Sequence, residues 1–537
     1  MLEEQKMEMQ QMEAEEVAAV IAYRNIPYFM LDNEVTSTKR GEIQNEFHEI
    51  IKFYRIYKKG SAFLPEGTNG HYIPSKLRYK KAALILNKEA RFMFANPPTF
   101  SINREDVDTK YKNENAILQG FLDKVLQRTN FSGKLIKAVK DCFIGKRIAI
   151  VLNVSEDNGI TVTFLNSLEF IYETSGQGND DNELTKFVTF YQMNDTDSFE
   201  EQKWFKKKYT KERDGIYLQE QIYSGTGKFI ENVTAKTRIK FDYIPAVVVL
   251  NNGLTGDYRG VSELADLMDS ESYYSKLANA DIDAERKSMN PIKYTIDASE
   301  GSTKNLSTSP GSYWDIQSDD EKSIERSAKV GTLEAQMNYS NPLKTTLNRL
   351  ENDMYSSVDV PNMTNEQLAG IITSGKTIRA LYWGLTVRCD EKMVASWQYA
   401  LTFVAKAVID SGKLYPECIG RYLNDTSSIP DIPFTILVEN HYPLPDDVNE
   451  AKTMDIAEVE SKVMSRKSYL KKWRKLNDNE ADAELRQIKY ENELLDDSYL
   501  ATMYSSNSED NEDQGLSISY EDPEKNAAPQ GNDKRNI

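Results

Sequence analysis

The sequence predicts an α+β fold that is predominantly helical. Candidate helices with apolar residues at helical spacing occupy both ends of the chain. Between Arg147 and Leu250 the pattern changes to short alternating segments separated by turn residues, which is typical of strands. The rest of the chain is organised around a helix–loop–helix stretch from Thr332 to Gly412, whose last helix contains no proline from Lys376 onward.

Length and composition bound the classes of protein to consider. A chain of 537 residues predicts roughly three domains at ~150 residues each. Apolar residues make up 39% and charged residues 28%, which indicates a soluble chain with a core. No apolar run reaches the ~18–20 residues that a membrane helix needs. The first twenty residues are acidic and helix-prone, unlike the basic start of a signal peptide.

Cysteine and histidine are too sparse and scattered to suggest a metal site or a histidine-based triad. The residues are Cys142, Cys389 and Cys418, and His48, His71 and His441. The cysteines form neither a CxxC pair nor a disulfide framework, as expected for a reducing compartment. We therefore expect no metal and no cofactor.

The net charge of −18 argues against a protein that grips DNA statically, since such proteins neutralise phosphates with a basic face. An acidic chain can still meet DNA if its task is to let the duplex pass without sticking.

The first part of the chain predicts a series of helices. Residues 1–25 form a packing or docking arm, and Gln44–Tyr57 and Ile73–Ala95 form amphipathic helices. Asn113–Asp141 holds two helices separated near Asn130.

Strands follow. Arg147–Asn166 predicts a hairpin with its turn at Asn158 and Gly159. Further strands are predicted at Phe187–Tyr191, Ile216–Tyr223, Ile239–Asp242 and Ile244–Leu250. The basic run Lys203–Arg213 is interpreted as a charged edge strand that discourages aggregation, with a nucleic-acid contact as the alternative.

Ser262 is predicted to cap a helix that ends before Pro291. Its many carboxylates are interpreted as a solvated face rather than a catalytic cluster; they are Glu263, Asp266, Asp269, Glu271, Asp281, Asp283 and Glu285. A small β excursion over Ile292–Ile324 and a second helix over Glu334–Ser357 follow.

After the long helix, a strand is predicted at Pro433–Glu439, and charged helices at Asp446–Leu476 and Asn479–Leu495. The tail from Asp496 has ten acidic and three basic residues and little to bury, so it is predicted to be disordered.

Gly370–Thr377 matches the P-loop pattern G-x-x-x-x-G-K-[ST]. A working P-loop follows a buried strand, whereas Asn362–Leu368 is polar and unsuited to a central strand. The one Walker B candidate, Thr435–Glu439, has no βαβ connection to the loop. We interpret the match as chance and predict no nucleotide site; the helix from Lys376 to Ser411 would be about 54 Å long.

The order of these parts resembles the portal proteins of tailed bacteriophages, of the type found in long-tailed phages of Gram-positive hosts. The resemblance covers about residues 40–495. It is carried by IPAVVVLNN, by SELADLMDSESYYSKLANADIDA, by the β excursion, and by VPNMTNEQLAG followed by SGKTIRAL. Lys376 and Thr377 depart from the small or apolar residues that such proteins often have there.

The resemblance implies a ring subunit with wing, stem, clip and crown regions. The implied regions are an N-terminal arm (1–43), a wing (44–261), a first stem helix (262–290), a clip (291–331), a second stem helix (332–358), a tunnel loop (359–375), the long wing helix with a strand (376–445), crown helices (446–495) and an acidic disordered tail (496–537).

The implied function is a non-enzymatic head-to-tail connector: a ring of about twelve subunits at one capsid vertex, through which double-stranded DNA is packaged and ejected. The implied partners are the terminase large subunit, the head–tail adaptor, and the major capsid and scaffold proteins, with no membrane. The protein would reside in the virion, and in the host cytoplasm during assembly. The alternatives are a P-loop ATPase of DNA packaging or another structural protein of the particle.

The resemblance also suggests functional residues in three regions. In the tunnel loop and at the start of the following helix they are Asn362, Thr364, Asn365, Glu366, Gln367 and Lys376. The channel-lining candidates of the stem are Asp281, Glu285 and Lys287, and the partner-binding candidates of the clip are Trp314, Asp315, Asp319 and Asp320.

Overall fold

The computed structural model describes residues 28–492 apart from 32–33, 62–73, 104–110, 156, 158, 176–182, 195, 197–200, 255–256, 258, 290–291, 300, 303–313, 319–326, 334–337, 364–374, 424–427, 445–447, 475 and 477–479. The predicted N-terminal helix and the predicted disordered tail lie outside these residues. The fold is mixed α/β, 52% helical and 23% strand, which confirms the predicted class at that level. The chain divides into two compact units, Met1–Pro445 and Asp446–Ile537.

Unit one opens with helices that pack into its main core. They are α1 (Ser37–Lys59), α2 (Lys81–Phe94), then strand β1 (Thr99–Ile102), α3 (Lys112–Arg128) and α4 (Phe131–Gly145). The predicted break near Asn130 is confirmed, because this residue has a positive φ of 50°. The hydroxyl of Thr36 caps α1 by accepting from the Lys39 amide, so α1 begins earlier than predicted.

The predicted start of α2 at Ile73 is wrong. The amides of Ser75 and Leu77 donate to the side chains of Asp283 and Asn279, at 2.9 and 2.8 Å, and so do not enter a helical ladder. These contacts with residues about 200 positions further along the chain explain why the helix begins only at Lys81.

Two antiparallel sheets form the β-rich part. Their strands are β2 (Arg147–Ser155), β3 (Gly159–Asn166), β4 (Phe170–Thr174), β5 (Leu184–Gln192), β6 (Lys203–Glu212), β7 (Gly215–Ser224), β8 (Phe229–Arg238) and β9 (Ala246–Leu250). The orders are β3-β2-β9 and β4-β5-β6-β7-β8. The predicted β2–β3 hairpin is confirmed, and Ser155 pairs with Gly159 at its end.

Two β predictions are wrong. Residues 239–242 follow β8 as an irregular segment and form no strand. The basic run is β6, which lies at the centre of the five-stranded sheet and not at its edge. Its lysines are balanced by carboxylates: Lys206 and Lys208 bind Glu34 at 2.5 and 3.0 Å, and Lys207 binds Glu220 at 3.2 Å.

A helix pair with a β ladder between its helices follows. Helix α5 spans Glu263–Met289, and Ser262 accepts from the Leu264 amide at 3.2 Å, which confirms the predicted cap. Strands β10 (Ile292–Ile296) and β11 (Lys329–Leu333) pair antiparallel. The second helix, α6, spans Ser340–Ser356 and begins later than the predicted Glu334. Pro342 explains the difference, because proline is tolerated in the first turn but not in a helix interior.

The long helix predicted from Lys376 is interrupted. It consists of α7 (Gly375–Leu381), α8 (Trp383–Lys392), a π-helical turn (Met393–Trp397) and α9 (Gln398–Leu414). Tyr382 leaves helical geometry, with φ −91° and ψ 9°. A π turn holds one extra residue, so the predicted uninterrupted helix from Lys376 to Ser411 is wrong in this respect. α9 packs in the main core of unit one, with Leu401, Val404 and Val408 almost fully buried.

The unit ends with β12 (Ile436–Glu439), which pairs antiparallel with β1. Unit two contains α10 (Val448–Glu460), α11 (Arg466–Arg474) and a helix α12 over 480–492. The predicted helix Asp446–Leu476 is therefore two helices. Lys462 has a positive φ of 66°, and Ser465 accepts from the Ser468 amide at 3.0 Å, which starts α11 anew.

All three cysteines are buried, and none of them forms a disulfide. Among the described residues no helix is long and apolar enough to cross a bilayer.

We expect Glu34→Gln to lower the free energy of unfolding by about 3 kcal/mol at pH 7, because it leaves the buried Lys206 charge without a counter-ion. Burial opposes ionisation of Glu34, but Lys206 and Lys208 outweigh it and lower its pKa. This stabilisation is therefore present above the unfolded pKa near 4.5 and is lost as the pH falls below it. Urea denaturation at pH 7 and pH 4 measures the effect.

The matched control is Glu173→Gln, whose carboxylate is half-exposed and lies 4.0 Å from Lys186. It should cost under about 1 kcal/mol. An equal decrease in the free energy of unfolding for the two variants would contradict the role of Glu34 as the counter-ion of Lys206.

Candidate functional site

The described structure includes both ends of the loop between α6 and α7, although residues 364–374 lie outside it. Val358 and Val360 are almost fully buried, and Asp359 between them has a φ of 53°. The Val360 amide donates to the Tyr355 carbonyl at 3.0 Å, which ends α6. The loop therefore leaves the core at a defined point.

The predicted loop residues are only partly placed. Asn362 is exposed and donates to the side chain of Asn352 at 2.7 Å. Lys376 is exposed on the first turn of α7. Thr364, Asn365, Glu366 and Gln367 lie outside the described residues.

The surroundings of the P-loop match differ from those of a nucleotide site. Among the described residues, which leave out 364–374, the last element before the octapeptide is the helix α6. The Walker B candidate lies on β12, whose partner β1 is antiparallel. All ladders between the strands named above are antiparallel. The interpretation of this octapeptide as a chance match stays a prediction.

Four charged side chains lie behind the base of the loop: Glu89, Glu263 and Lys392 are buried, and the Arg388 side chain is partly exposed. Lys392 donates to Glu89 at 2.5 Å and to Glu263 at 2.6 Å. Arg388 donates to Glu89 at 3.1 Å and also to Glu263. We call these four residues the buried charge cluster. It joins α2, the first turn of α5 and α8, and Arg388 also lies 4.0 Å from Asp359 at the loop base.

The cluster pairs two cations with two carboxylates, but Oε2 of Glu89 is buried without a hydrogen-bond partner. Asn251 and Asn252 donate to Glu263 at 3.0 and 2.8 Å. Burial alone would raise the pKa of Glu263, but Lys392 and Arg388 lower it to about 2. Burial and the neighbouring Glu263 raise the pKa of Glu89. A buried arrangement of this kind favours one geometry, because removing one partner leaves an unpaired charge.

The sequence interpretation of the α5 carboxylates as one solvated face is wrong for Glu263 and Glu271. Their exposed fractions are 1% and 0%. No local charge pattern separates them from exposed neighbours, because the cations that pair with Glu263, Arg388 and Lys392, are over 100 residues away along the chain.

The second helix of the pair is tied to α2. Lys81 and Glu351 form an ion pair at 2.7 Å, and Lys88 donates to the Tyr355 hydroxyl at 3.3 Å. The loop is thus anchored through α2 on both sides, by contacts of α6 and of α8.

The three stem candidates are placed on α5. Asp281 is half-buried, whereas Glu285 and Lys287 are exposed. Asp281 and Glu285 are one turn apart on α5. The pKa of Tyr339, just before α6, is raised first by burial and then by the negative charges of these two residues. They therefore lie near the start of the paired helix. Whether they line a channel stays a prediction.

At the β ladder, Trp314 is half-buried and the Lys293 ammonium lies 4.5 Å from the centre of its ring. Asp315 is exposed, and Asp319 and Asp320 lie outside the described residues. The Ser299 amide donates to the Gln317 carbonyl at 2.9 Å, so pairing continues beyond β10. The described part contains no cluster of His, Cys, Asp and Glu suited to a metal ion.

A family model described as phage portal protein, SPP1 Gp6-like, matches residues 37–495. No curated protein matches the chain significantly. The matched segment includes the buried charge cluster, both ends of the loop and the β10–β11 ladder.

We expect Glu271→Gln to flatten the dependence of stability on pH. Burial raises the pKa of Glu271 from 4.5 to about 7. Between these values the folded state holds a proton that the unfolded state has lost, so stability falls as the pH rises through this window. The wild type should lose up to about 3 kcal/mol more than the variant between pH 4.5 and 8, by urea denaturation. Glu285→Gln, exposed on the same helix, is the control; wild-type pH dependence in Glu271→Gln would contradict the prediction.

Proposed function

Because the chain belongs to the phage portal protein family of the SPP1 Gp6-like type, we propose that it assembles into a ring of about twelve subunits around a DNA channel. The family match covers most of the chain, so the protein is a structural component of the phage particle that serves DNA packaging. The family is non-enzymatic. Its members form a ring that docks with the capsid and the terminase.

The region assignments extend this proposal. Helices α5 and α6 form the stem, the β10–β11 ladder is the base of the clip, and the helices of unit two form the crown. Residues 44–261, with the long interrupted helix, form the wing. Two observations support the stem assignment: α5 and α6 are consecutive helices that contact each other, and α5 has 27 residues, giving a rod of about 40 Å.

The tunnel-loop assignment rests on one observation: the first end of the loop is fixed to the core. Val358 and Val360 are buried at its first end, and Arg388 reaches Asp359 from the buried charge cluster. A loop that contacts moving DNA needs such a rigid base. Its polar residues touch the duplex weakly, while the acidic charge of the chain limits phosphate binding.

The clip is proposed to bind the terminase large subunit during packaging and the head–tail adaptor afterwards, through Trp314, Asp315, Asp319 and Asp320. The ring also contacts the major capsid and scaffold proteins. It assembles in the host cytoplasm before it becomes part of the virion.

We expect purified protein to form rings of about twelve subunits in negative-stain microscopy and to lack ATPase activity. Lys376→Ala should change neither result, because the octapeptide does not cradle phosphate. A stable monomer whose ATP hydrolysis is lost in Lys376→Ala would instead identify a P-loop ATPase.

We also expect deletion of residues 362–368 to impair DNA packaging while rings still assemble, because the loop would contact DNA in the channel. Packaged DNA in complementation of a portal-deficient phage measures the first effect, and microscopy of the rings the second. Deletion of residues 528–534 in the polar tail is the size-matched control. Normal packaging by the loop deletion would contradict the assignment.

A further inference from the structure

A cavity of about 470 Å³ lies at the base of the loop between α6 and α7, and we call it the loop-base cavity. Its walls include Met363, which precedes residues 364–374, and Ile378, which lies on the helix that follows them. Tyr382 and Leu385 come four and three residues further on and line the same wall. The cavity is therefore bordered by both ends of the loop.

The walls of the cavity are mainly apolar and aromatic, and part of their surface is accessible to water. Phe92 stacks on Tyr382 at 5.5 Å between ring centres. Met363, Ile378 and Tyr382 are only half-buried. The volume lies within the ~300–1,000 Å³ range of pockets that hold small organic ligands, so several aliphatic side chains fit. An apolar segment that covered these walls would remove their surface from water, which is favourable.

Residues 364–374 consist of chemically different parts. The first four residues are polar, whereas residues 368–372 have the sequence LAGII. We call residues 368–372 the apolar part of the loop. Leu368, Ile371 and Ile372 supply three large aliphatic side chains, which are stabilised when they leave water. The apolar part is therefore a suitable occupant for the cavity.

The apolar part lies within reach of the cavity. Leu368 is five residues after Met363, and an extended chain spans up to ~3.5 Å per residue, so the apolar part can fold back onto the cavity that Met363 borders. Ile371 stands seven residues before Ile378, which is close to two helical turns. The phase of α7, extended toward the loop, therefore puts Ile371 on the side that Ile378 presents to the cavity.

The charges of the cavity and of the loop are of opposite sign. Among the described residues that line the cavity, only Lys88 and Arg91 are charged, and both are basic. Arg91 is exposed in the last turn of α2. Glu366 is the one charged residue within 364–374, and it stands two residues before the apolar part. An acidic group that arrives beside two basic ones favours this occupant.

We propose that the apolar part of the loop docks in the loop-base cavity of its own subunit, with Ile371 packed against Ile378 and Tyr382. The docking itself requires neither the ring nor DNA. Its consequence rests on the proposed function: the docked part would leave residues 362–367 as the portion of the tunnel loop that projects into the channel. The isoleucines inside the P-loop match thereby act as packing residues.

Disulfide trapping in the full chain tests the docking. The three native cysteines are buried, so only introduced thiols should react with copper–phenanthroline and air. Ala95 lines the cavity and is exposed, so Ala95→Cys replaces no buried side chain. Combined with Ile371→Cys, it should form a disulfide at least about tenfold faster than with Thr373→Cys, because the two Cβ atoms must approach to ~4.5 Å. Thr373 is the matched control, since it is tethered equally but stands outside the apolar part.

A second measurement uses no introduced cysteine. Ile371→Ser removes the proposed anchor, so a glutamate-specific protease should cleave after Glu366 at least about tenfold faster, because proteolysis follows the population of the undocked loop. Thr373→Ser should be cleaved at the wild-type rate. Mass spectrometry identifies this cleavage site, and an unchanged unfolding midpoint establishes that each variant is folded.

Three outcomes overturn the inference. Ile371→Cys and Thr373→Cys could react equally fast with Ala95→Cys, or Ile371→Ser could be cleaved like the wild type; either result means that the apolar part does not dock there. A disulfide between two chains, seen as a dimer on a non-reducing gel, means that the loop docks on another subunit. Neither measurement depends on rings or packaged DNA, so the proposed function stands if the docking fails. A fast disulfide within one chain that forms no rings would support the docking and contradict the proposed function.

Discussion

The buried charge cluster is the interaction on which the rest of unit one depends. Glu89, Glu263, Arg388 and Lys392 belong to three helices that are far apart in sequence, and each carboxylate contacts both cations. Because an unpaired charge is costly in a core, these ion pairs favour one arrangement of the three helices. The first turn of α5 and the start of the loop are held by the same contacts.

The cluster fixes the base of the loop that is proposed to contact moving DNA. The loop proposed to meet DNA begins between two buried valines, and Arg388 links its base to the core. The segments α8 and α9 on either side of the π turn pack in the same core, through Leu385 and Cys389 of α8 and Leu401 and Val408 of α9.

The octapeptide Gly370–Thr377 shows that a match to a sequence motif is weaker evidence for a nucleotide site than the secondary structure around it. A phosphate cradle depends on a buried strand that delivers the loop to a helix N-terminus. In the part of the chain that the structure describes, the last element before the octapeptide is the helix α6, and the candidate strand β12 pairs antiparallel with β1. The family match places the same segment in a structural protein of the phage particle.

The sequence by itself determined the features that depend on neighbouring residues: the break at Asn130, the β2–β3 hairpin, the cap at Ser262, the order of parts and hence the family. Tertiary structure alone decided what depends on distant partners. It placed β6 at the centre of its sheet, buried Glu263 against Arg388 and Lys392, and delayed α2 through contacts with α5. Propensity and periodicity are local, whereas burial of a charge is decided by side chains that meet only in the folded chain.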